Sequence, residues 1–357
     1  MANVQKIMVD VERMRYPFTG LYYYCLHLGN ALLQQQHLHN AQLGFYLNEQ
    51  SKSLFGKKSF SIVQHSLDKH HMSFARKFNI WHCTYQNSNY FPATLKTKVI
   101  LTIHDINFLH DDIPQNKQKK FLDKLQKKIN RADAIITISE FVKSDVLKNF
   151  NVQNKNLHVI YNGCNIADDI ELLKPLFAPS APFIFTISAI DKKKNFHVLP
   201  NLLLNNDYFL IIAGKTNDEN YKNAIIDAAK KLNVESRVLF TGAIKEEEKY
   251  WYLKNCMVFV FPSIAEGFGL PVIEAMHFGK PVLLSKATSL PEIGGNLAYY
   301  FDDFDPVNMQ KKLDQTLNEY SMKKNAFEIS EWSKKFTWTA AAERHWQLYE
   351  SLLNNKL

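Results

Sequence analysis

Short apolar runs alternate with longer amphipathic stretches along the first part of the chain. Runs with the length of a buried strand occur at residues 6–10, 43–47, 80–83, 99–103, 134–138 and 157–160. Stretches with the helical spacing of apolar residues occur at 20–36, 117–131 and 140–150. Apolar strands that alternate with helices are typical of a parallel sheet covered on both faces. The pattern therefore predicts a doubly wound α/β domain.

The same alternation begins again after a polar stretch that contains Pro175, Pro179 and Pro182 and is typical of a linker. Strands are predicted at 183–187, 208–213, 238–241, 257–261 and 282–284, and helices at 194–204, 219–232, 246–255 and 271–278. We predict domains over residues 1–165 and 183–335, a linker over 166–182 and a C-terminal helix over 336–357. Two such Rossmann-like domains predict a cleft where the carboxyl ends of both sheets face each other.

A glycine loop lies between a predicted strand and a predicted helix in the second domain. Pro262 ends the apolar run 257–261, and Gly267 and Gly269 let the backbone approach a ligand closely. Pro271 suits the first position of the following helix. The N–H groups at such a helix start favour an anionic group, above all a phosphate.

Two carboxylates flank this loop. Glu266 precedes the first glycine, and Glu274 falls in the first turn of the predicted helix. Carboxylates on either side of a phosphate site suit the hydroxyl groups of a ribose and of a sugar. The segment therefore predicts a site for a nucleotide-sugar.

The residues Glu266-Gly-Phe-Gly-Leu-Pro-Val-Ile-Glu274 resemble the signature of two glutamates separated by seven residues in retaining glycosyltransferases of the GT-B type, family 4. The resemblance implies a GT-B fold whose C-terminal helix packs back on the N-terminal domain. It implies that Glu266 binds a hydroxyl of the transferred sugar and that Glu274 binds the ribose. The donor would also contact the backbone of the loop at Gly267, Phe268, Gly269 and Leu270.

A turn of consecutive lysines follows the predicted strand 183–187. Ammonium groups at the end of a strand are well placed to bind a phosphate. The turn resembles the segment that binds the donor phosphates in the family, which implies that Lys193 and Lys194 bind the diphosphate and that Lys194 stabilises it as it leaves. Ala189 stands where many members carry an arginine, so Lys193 would supply that charge.

Glycines end two other strands of the second domain. Gly214-Lys215 follows the strand 208–213, and Gly242 follows the strand 238–241. The resemblance implies that Gly214, Lys215 and Gly242 line the base and ribose.

Candidate residues of the first domain follow the first strand and the strand 99–103. The resemblance implies that a loop ending at Gly20 closes over the donor phosphates. Arg13 and Arg15 in this loop are either surface charges or contacts for an anionic acceptor. His104 follows the strand 99–103, and we expect its side chain to point into the cleft rather than into the sheet. The resemblance implies that its backbone or ring lies near the transferred sugar, where it would be a catalytic residue.

The positive charge lies in the first half of the chain. The net charge is +8, and residues 1–178 carry 22 Lys and Arg against 14 Asp and Glu. The basic helix 117–131 is predicted to dock with its apolar face, and its lysines are either solvated or attracted to an anionic membrane. Nucleic acid is not predicted as a partner, because aromatic and basic residues are not interleaved.

No metal site and no cofactor are predicted. Asp111-Asp112, Asp168-Asp169 and Asp302-Asp303 lack the strand-end context of a cation site on a diphosphate, and the lysine turn can neutralise that charge instead. The four cysteines have no ligand spacing and are interpreted as free thiols. Without a signal-peptide layout or a membrane span, we expect a cytoplasmic protein. If the lysines of the basic helix are attracted to a membrane, the contact is with its inner face.

We therefore predict a hexosyltransferase that moves a sugar from a nucleotide diphosphate donor to a glycan or lipid-linked acceptor in cell-surface polysaccharide or lipopolysaccharide synthesis. The lysine segment is similar to that of a mannosyltransferase branch, which favours GDP-mannose over a UDP-sugar. A GT-B epimerase or phosphorylase, and a non-catalytic nucleotide-sugar-binding protein, are the alternatives. A glycoside hydrolase that uses Glu266 and Glu274 is weaker, because the nucleotide-suited loop would then have no purpose.

Overall fold

The computed structural model describes residues 4–17, 19–56, 59–110, 114–152, 155–164, 166 and 171–354. The chain divides into two compact units. Unit 1 comprises Met1–Gly163 and Phe336–Leu357, and unit 2 comprises Cys164–Lys335. Residues 165 and 167–170, at the start of the predicted linker, lie outside the described residues.

Unit 1 contains a seven-stranded parallel sheet in its described part, with the strand order β3-β2-β1-β4-β5-β6-β7. Its strands are β1 (Gln5–Asp10), β2 (Ala41–Leu47), β3 (Phe60–Val63), β4 (Ile80–Cys83), β5 (Lys98–Ile103), β6 (Ala134–Thr137) and β7 (Asn156–Val159). Its first helices are α1 (Gly20–Gln35), α2 (Gln115–Arg131) and α3 (Glu140–Asn149). The strand β3 was not predicted, because it is a short edge strand that stays partly exposed and so has no continuous apolar run.

The described residues of unit 2 form a six-stranded parallel sheet in the order β10-β9-β8-β11-β12-β13. Its strands are β8 (Phe183–Ile187), β9 (Phe209–Ala213), β10 (Val238–Gly242), β11 (Val258–Phe261), β12 (Val282–Leu284) and β13 (Tyr299–Tyr300). Its helices are α4 (Glu219–Lys231), α5 (Glu246–Asn255), α6 (Leu270–His277), α7 (Leu290–Gly294), α8 (Pro306–Lys323) and α9 (Ala326–Ser333). The prediction of two doubly wound α/β units is confirmed. The helices α7, α8 and α9 were not predicted.

The last helix, α10 (Trp338–Leu353), belongs to unit 1 and packs on α1. Trp346 is fully buried and its indole Nε1 donates a hydrogen bond to the carbonyl of Leu32 at 3.2 Å. Thr337 caps the helix by accepting a hydrogen bond from the N–H of Ala340. Burial of this apolar face attaches the end of the chain to its first domain. No helix in the described part of the chain is both long and apolar enough to span a bilayer.

Two histidines are buried between the sheet of unit 1 and α10. His82 Nδ1 lies 2.7 Å from the Tyr349 hydroxyl, and His345 Nδ1 donates to the carbonyl of Ala341 at 2.7 Å. The two imidazole rings are 5.4 Å apart. Burial lowers the pKa of His345 to about 4, so this ring is neutral in the folded protein at neutral pH.

Acidification is expected to destabilise the protein through His345. Its pKa in an unfolded chain is about 6.5, so below that pH the unfolded state binds a proton that the folded state excludes. Between about pH 7 and about pH 5 this lowers the free energy of unfolding by about 1–2 kcal/mol. We expect His345→Leu to show a smaller drop over this range in urea unfolding. Burial raises the pKa values of Asp10 and Glu12, so acidification stabilises the protein through these two groups. This contribution is the same in the wild type and in His345→Leu. Equal drops in the two proteins would contradict this assignment.

Candidate functional site

The strand order of unit 2 reverses between β8 and β11, and the loops that follow these strands meet at the carboxyl edge of the sheet. The N–H of Ile264 donates to the carbonyl of Lys193 at 2.9 Å, and the Ser263 hydroxyl donates to the same carbonyl at 3.1 Å. The lysine turn and the glycine loop are therefore held together. This edge is where open α/β sheets bind ligands.

The three lysines form one turn of 3₁₀ helix, Lys192–Lys194, which Asp191 caps by accepting from the N–H of Lys193. Asn195 follows with a φ of 57°, in the left-handed region, and a second 3₁₀ helix spans Phe196–Leu203. A helix does occupy most of the predicted range 194–204, but it begins at Phe196 and is a 3₁₀ helix, because the left-handed Asn195 separates it from the lysines.

Lys194 and Glu266 form an ion pair across this edge. Lys194 Nζ lies 2.5 Å from Glu266 Oε1, and the side chains are 16% and 13% exposed. The ammonium group also lies 5.8 Å from the centroid of the Phe261 ring. The structure thus brings together two of the residues that the sequence predicted, in a partly buried position where each charge depends on the other.

Hydroxyl groups from the loop after β12 hold the glycine loop in place, and the sequence did not predict them. The Thr288 hydroxyl accepts from the N–H of Glu266 at 3.0 Å. Ser289 donates to the carbonyls of Glu266 and Phe268 at 3.1 and 2.8 Å. The Ser and Thr residues before Leu290-Pro291 were the only feature of the sequence that could have predicted these contacts, but such residues are equally typical of an ordinary turn.

Gly269 sets the start of α6. Its φ of 109° is rarely adopted by residues with a side chain, and a Cβ there would lie 3.0 Å from Leu290 Cδ2. α6 begins at Leu270, so Glu274 is the fifth residue of the helix, and its predicted position in the first turn is wrong. The side chain of Phe268 is only 4% exposed. Gly267 and Leu270 are half-buried beside it.

Glu274 is paired with Lys249, a residue of α5 that the sequence did not single out. Lys249 Nζ lies 2.7 Å from Glu274 Oε1, and the two side chains are 13% and 16% exposed. Burial by itself lowers the pKa of Lys249, but the charge of Glu274 and its hydrogen bond outweigh burial and raise that pKa above its ordinary value. Lys249 therefore carries a permanent positive charge beside the glutamate.

Gly214 and Gly242 lie at the same edge of the sheet. The N–H of Gly214 donates to the carbonyl of Gly242 at 2.8 Å. Gly214 has a φ of 129°, and a Cβ there would lie 1.9 Å from the carbonyl oxygen of Ser188. Lys215 is exposed, and its carbonyl accepts from the N–H of Ile190 at 2.9 Å. These residues support the loop before the lysine turn, and their contact with a donor stays a prediction.

The candidate residues of unit 1 are Gly20 and His104. Gly20 is exposed at the start of α1, and a Cβ built there meets nothing within 4 Å. His104 is only 6% exposed, its Nε2 donates to the carbonyl of Thr84 at 2.7 Å, and Tyr24 packs edge-on against its ring. The ring therefore lies against the segment that follows β4 and against α1, and its catalytic role near the transferred sugar stays a prediction. Burial lowers the pKa of His104 to about 4, so the ring is neutral.

The aspartates considered for a metal site have other roles or are outside the described residues. Asp302 pairs with Lys286, and Asp305 caps α8. Asp111, Asp112, Asp168 and Asp169 are not among the residues that the structure describes. Across the described ranges, His, Cys, Asp and Glu form no group of three that could hold a metal ion. Independence from metal remains a prediction.

Comparisons with known proteins follow the division into two units. Residues 23–168 match the family model Glycosyltransferase Family 4, and residues 170–331 match the model Glycosyl transferases group 1. Together the two models cover most of the chain, which therefore belongs to the family 4-like glycosyltransferases with a GT-B fold.

Among curated relatives, the chain is similar to the serotype-specific mannosyltransferase WbdA of Escherichia coli, with 28% identity over 244 residues. That match covers 64% of this chain and 30% of the relative, so the chain spans about a third of WbdA. The O-antigen chain mannosyltransferase B of Escherichia coli is 22% identical over 371 residues, which is 93% of this chain and 96% of that protein.

Two solved structures share the fold. Sucrose-phosphate synthase of Thermosynechococcus elongatus has a TM-score of 0.73 at 17% identity, covering 98% of this chain and 100% of that one. Anabaena Alr3699/HepE in complex with UDP-glucose has a TM-score of 0.71 at 18% identity, covering 97% and 99%.

Proposed function

We propose that this protein transfers a hexose from a nucleotide diphosphate sugar to a hydroxyl of a glycan or lipid-linked acceptor, with retention of the anomeric configuration. The observation that carries the proposal is the Lys194–Glu266 ion pair at the point where the strand order of unit 2 reverses. The relatives named as mannosyltransferases support sugar transfer and favour mannose, hence GDP-mannose, over other donors. Their O-antigen names support a role in cell-surface polysaccharide synthesis.

Each residue has a role in this proposal. Lys194, with Lys193, binds the diphosphate and stabilises the negative charge that develops as the sugar leaves. Glu266 binds a hydroxyl of the transferred sugar, and Glu274 binds the ribose. Lys194 and Glu266 neutralise each other in the structure, so on donor binding a phosphate would take the place of Glu266 beside Lys194, and a sugar hydroxyl would take the place of Lys194 beside Glu266.

A product assay tests this function. The protein is incubated with GDP-mannose or a UDP-sugar and an oligosaccharide acceptor, and the product is followed by NMR. We expect a new glycosidic bond with the anomeric configuration of the donor. Conversion of the donor without acceptor would instead indicate an epimerase, and dependence on inorganic phosphate would indicate a phosphorylase. Nucleotide binding without any turnover would indicate a binding protein.

EDTA is expected to leave the rate of transfer unchanged. The ammonium groups of Lys193 and Lys194 and the N-terminal end of α6 supply the positive charge that a divalent cation would otherwise bring to the diphosphate. The measurement is the initial rate before and after chelation and dialysis. Loss of activity that Mn²⁺ restores would contradict this.

The proposal includes contact with an anionic membrane surface through α2. One face of this helix is buried at Leu125 and Ile129, whereas Lys119, Lys120 and Lys127 are exposed. A lysine near an anionic surface contributes about 1 kcal/mol. This contact would hold the protein at the inner face of the membrane.

Vesicle co-sedimentation tests the α2 contact. We expect the double variant Lys119→Glu/Lys120→Glu to lose at least about tenfold in affinity for vesicles containing phosphatidylserine. The matched control, Lys230→Glu/Lys231→Glu on α4, makes the same charge change at exposed sites of unit 2. Equal binding by both double variants would refute the contact.

A further inference from the structure

Unit 1 contains a cavity at its own point of reversal in strand order. The order changes direction between β1 and β4, and the cavity, of about 410 Å³, is lined by residues that follow β1, β3 and β4. Its volume lies within the range of small-molecule sites, about 300–1,000 Å³. None of the residues assigned above to the donor lines it.

The charged side chains of the lining carry a net positive charge. Arg13, Arg15 and Lys69 contribute to it, and Glu12 is the acidic residue among the lining side chains. Arg15 Nη2 donates to Gln64 at 3.2 Å. Such guanidinium groups are the preferred partners of carboxylates and phosphates.

Arg13 is held between two aromatic rings. Its guanidinium carbon lies 4.6 Å from the ring centroid of Tyr16 and 4.8 Å from that of Tyr85. Its Nε is buried and has no hydrogen-bond partner among the residues that the structure describes. Arg13 lines the cavity, and a guanidinium group is a preferred partner of an anionic ligand.

The wall that follows β4 is rigid. The Ser88 hydroxyl donates to the buried carboxylate of Asp10 at 2.6 Å, and Lys128 Nζ donates to the carbonyl of Gln86 at 2.8 Å. This fixes the segment that presents Tyr85 and the amide of Asn87, which donates to the Tyr85 hydroxyl at 3.2 Å. A flat ring beside a planar amide suits the apolar face and the hydroxyls of a sugar.

We propose that this cavity binds the acceptor and takes a sugar that carries an oxyanion, either a carboxylate or a phosphate. The inference rests on the proposed transferase function and specifies the substrate that unit 1 contributes. The aromatic rings and the amide hold the sugar, and Arg13 and Arg15 bind the oxyanion.

The test is equilibrium binding of three labelled oligosaccharides to the whole protein. They differ only at the terminal residue, which is glucuronic acid, glucose or glucose 6-phosphate. We expect at least about tenfold tighter binding of an acidic probe than of the glucose-ended one, the scale of one charge-assisted hydrogen bond. Comparison of the glucuronic acid probe with the glucose 6-phosphate probe identifies which oxyanion the cavity prefers.

Matched variants assign this preference to the cavity. Arg13→Gln and Arg15→Gln should each abolish it, whereas Arg76→Gln, which removes an exposed arginine elsewhere in unit 1, should keep it. A thermal-shift response to GDP that matches the wild type verifies folding and an intact donor site. Equal binding of acidic and neutral probes, or a preference that survives both cavity variants, would overturn the inference. The proposed function is tested separately, because its failure appears as absent transfer to every probe with binding unaffected.

Discussion

Replacement of Lys194 by alanine is expected to lower the rate of sugar transfer by about 10²-fold or more, the scale of losing one preorganised group that stabilises developing charge. Lys194 Nζ lies 2.5 Å from Glu266 and is held there by a turn whose backbone is bonded to the glycine loop. The variant loses the ammonium group and leaves Glu266, which is 13% exposed, without its partner. Because the charge is needed most as the diphosphate leaves, the loss should appear mainly in kcat.

Steady-state kinetics with the donor varied measure this effect. Lys254→Ala is the matched control, because it removes an exposed lysine of α5 whose charge has no role in the proposal. A turnover close to wild type in Lys194→Ala, or an equal loss in the control, would show that the lysine turn does not act on the leaving group.

Replacement of Glu274 by alanine is expected to have two large effects, one on transfer and one on stability. Loss of the ribose contact should lower transfer by about 10²-fold. The change also removes the closer of the two carboxylate partners of Lys249, which is 13% exposed, and leaves only the longer ion pair with Glu246 at 3.7 Å. Breaking a buried pair from one side costs about 3 kcal/mol, so the urea midpoint should fall as well.

The double variant Glu274→Ala/Lys249→Met separates the two effects. Removal of the Lys249 ammonium group, which would otherwise keep only its longer pair with Glu246, should restore much of the stability, whereas transfer should stay low because the ribose contact is still missing. Glu247→Gln, at an exposed position of α5, is the control for loss of a nearby acidic charge. Recovery of transfer together with stability would mean that Glu274 acts only by holding α5 and α6 in place.

The sequence was most informative where a buried strand ends at the carboxyl edge of a sheet. The apolar runs of β8 and β11 predicted both strands. Because these strands are neighbours in the sheet, Lys194 lies beside Glu266, although the two residues are 72 positions apart in the sequence. The importance of Gly269 could be predicted from the sequence, because residues with a side chain rarely adopt its backbone conformation. In these cases the local pattern and the tertiary environment impose the same residue type.

Other parts of the site could not be predicted, because they depend on packing between distant segments. Lys249 lies in a run of charged residues that reads as a solvated helix start, and only the packing of α5 beside α6 makes it a partner of Glu274. His104 does follow a strand, but its ring is covered by Tyr24 from α1. Neither contact produces a hydrophobic periodicity from which it could be predicted.

The most direct test of the central claim is a crystal structure of the protein with bound GDP. We predict that the diphosphate contacts Lys194 and the glycine loop, that Glu274 contacts the ribose, and that Lys194 has exchanged Glu266 for a phosphate oxygen. A nucleotide bound away from residues 193–194 and 266–274, or bound there with the Lys194–Glu266 pair unchanged, would contradict it.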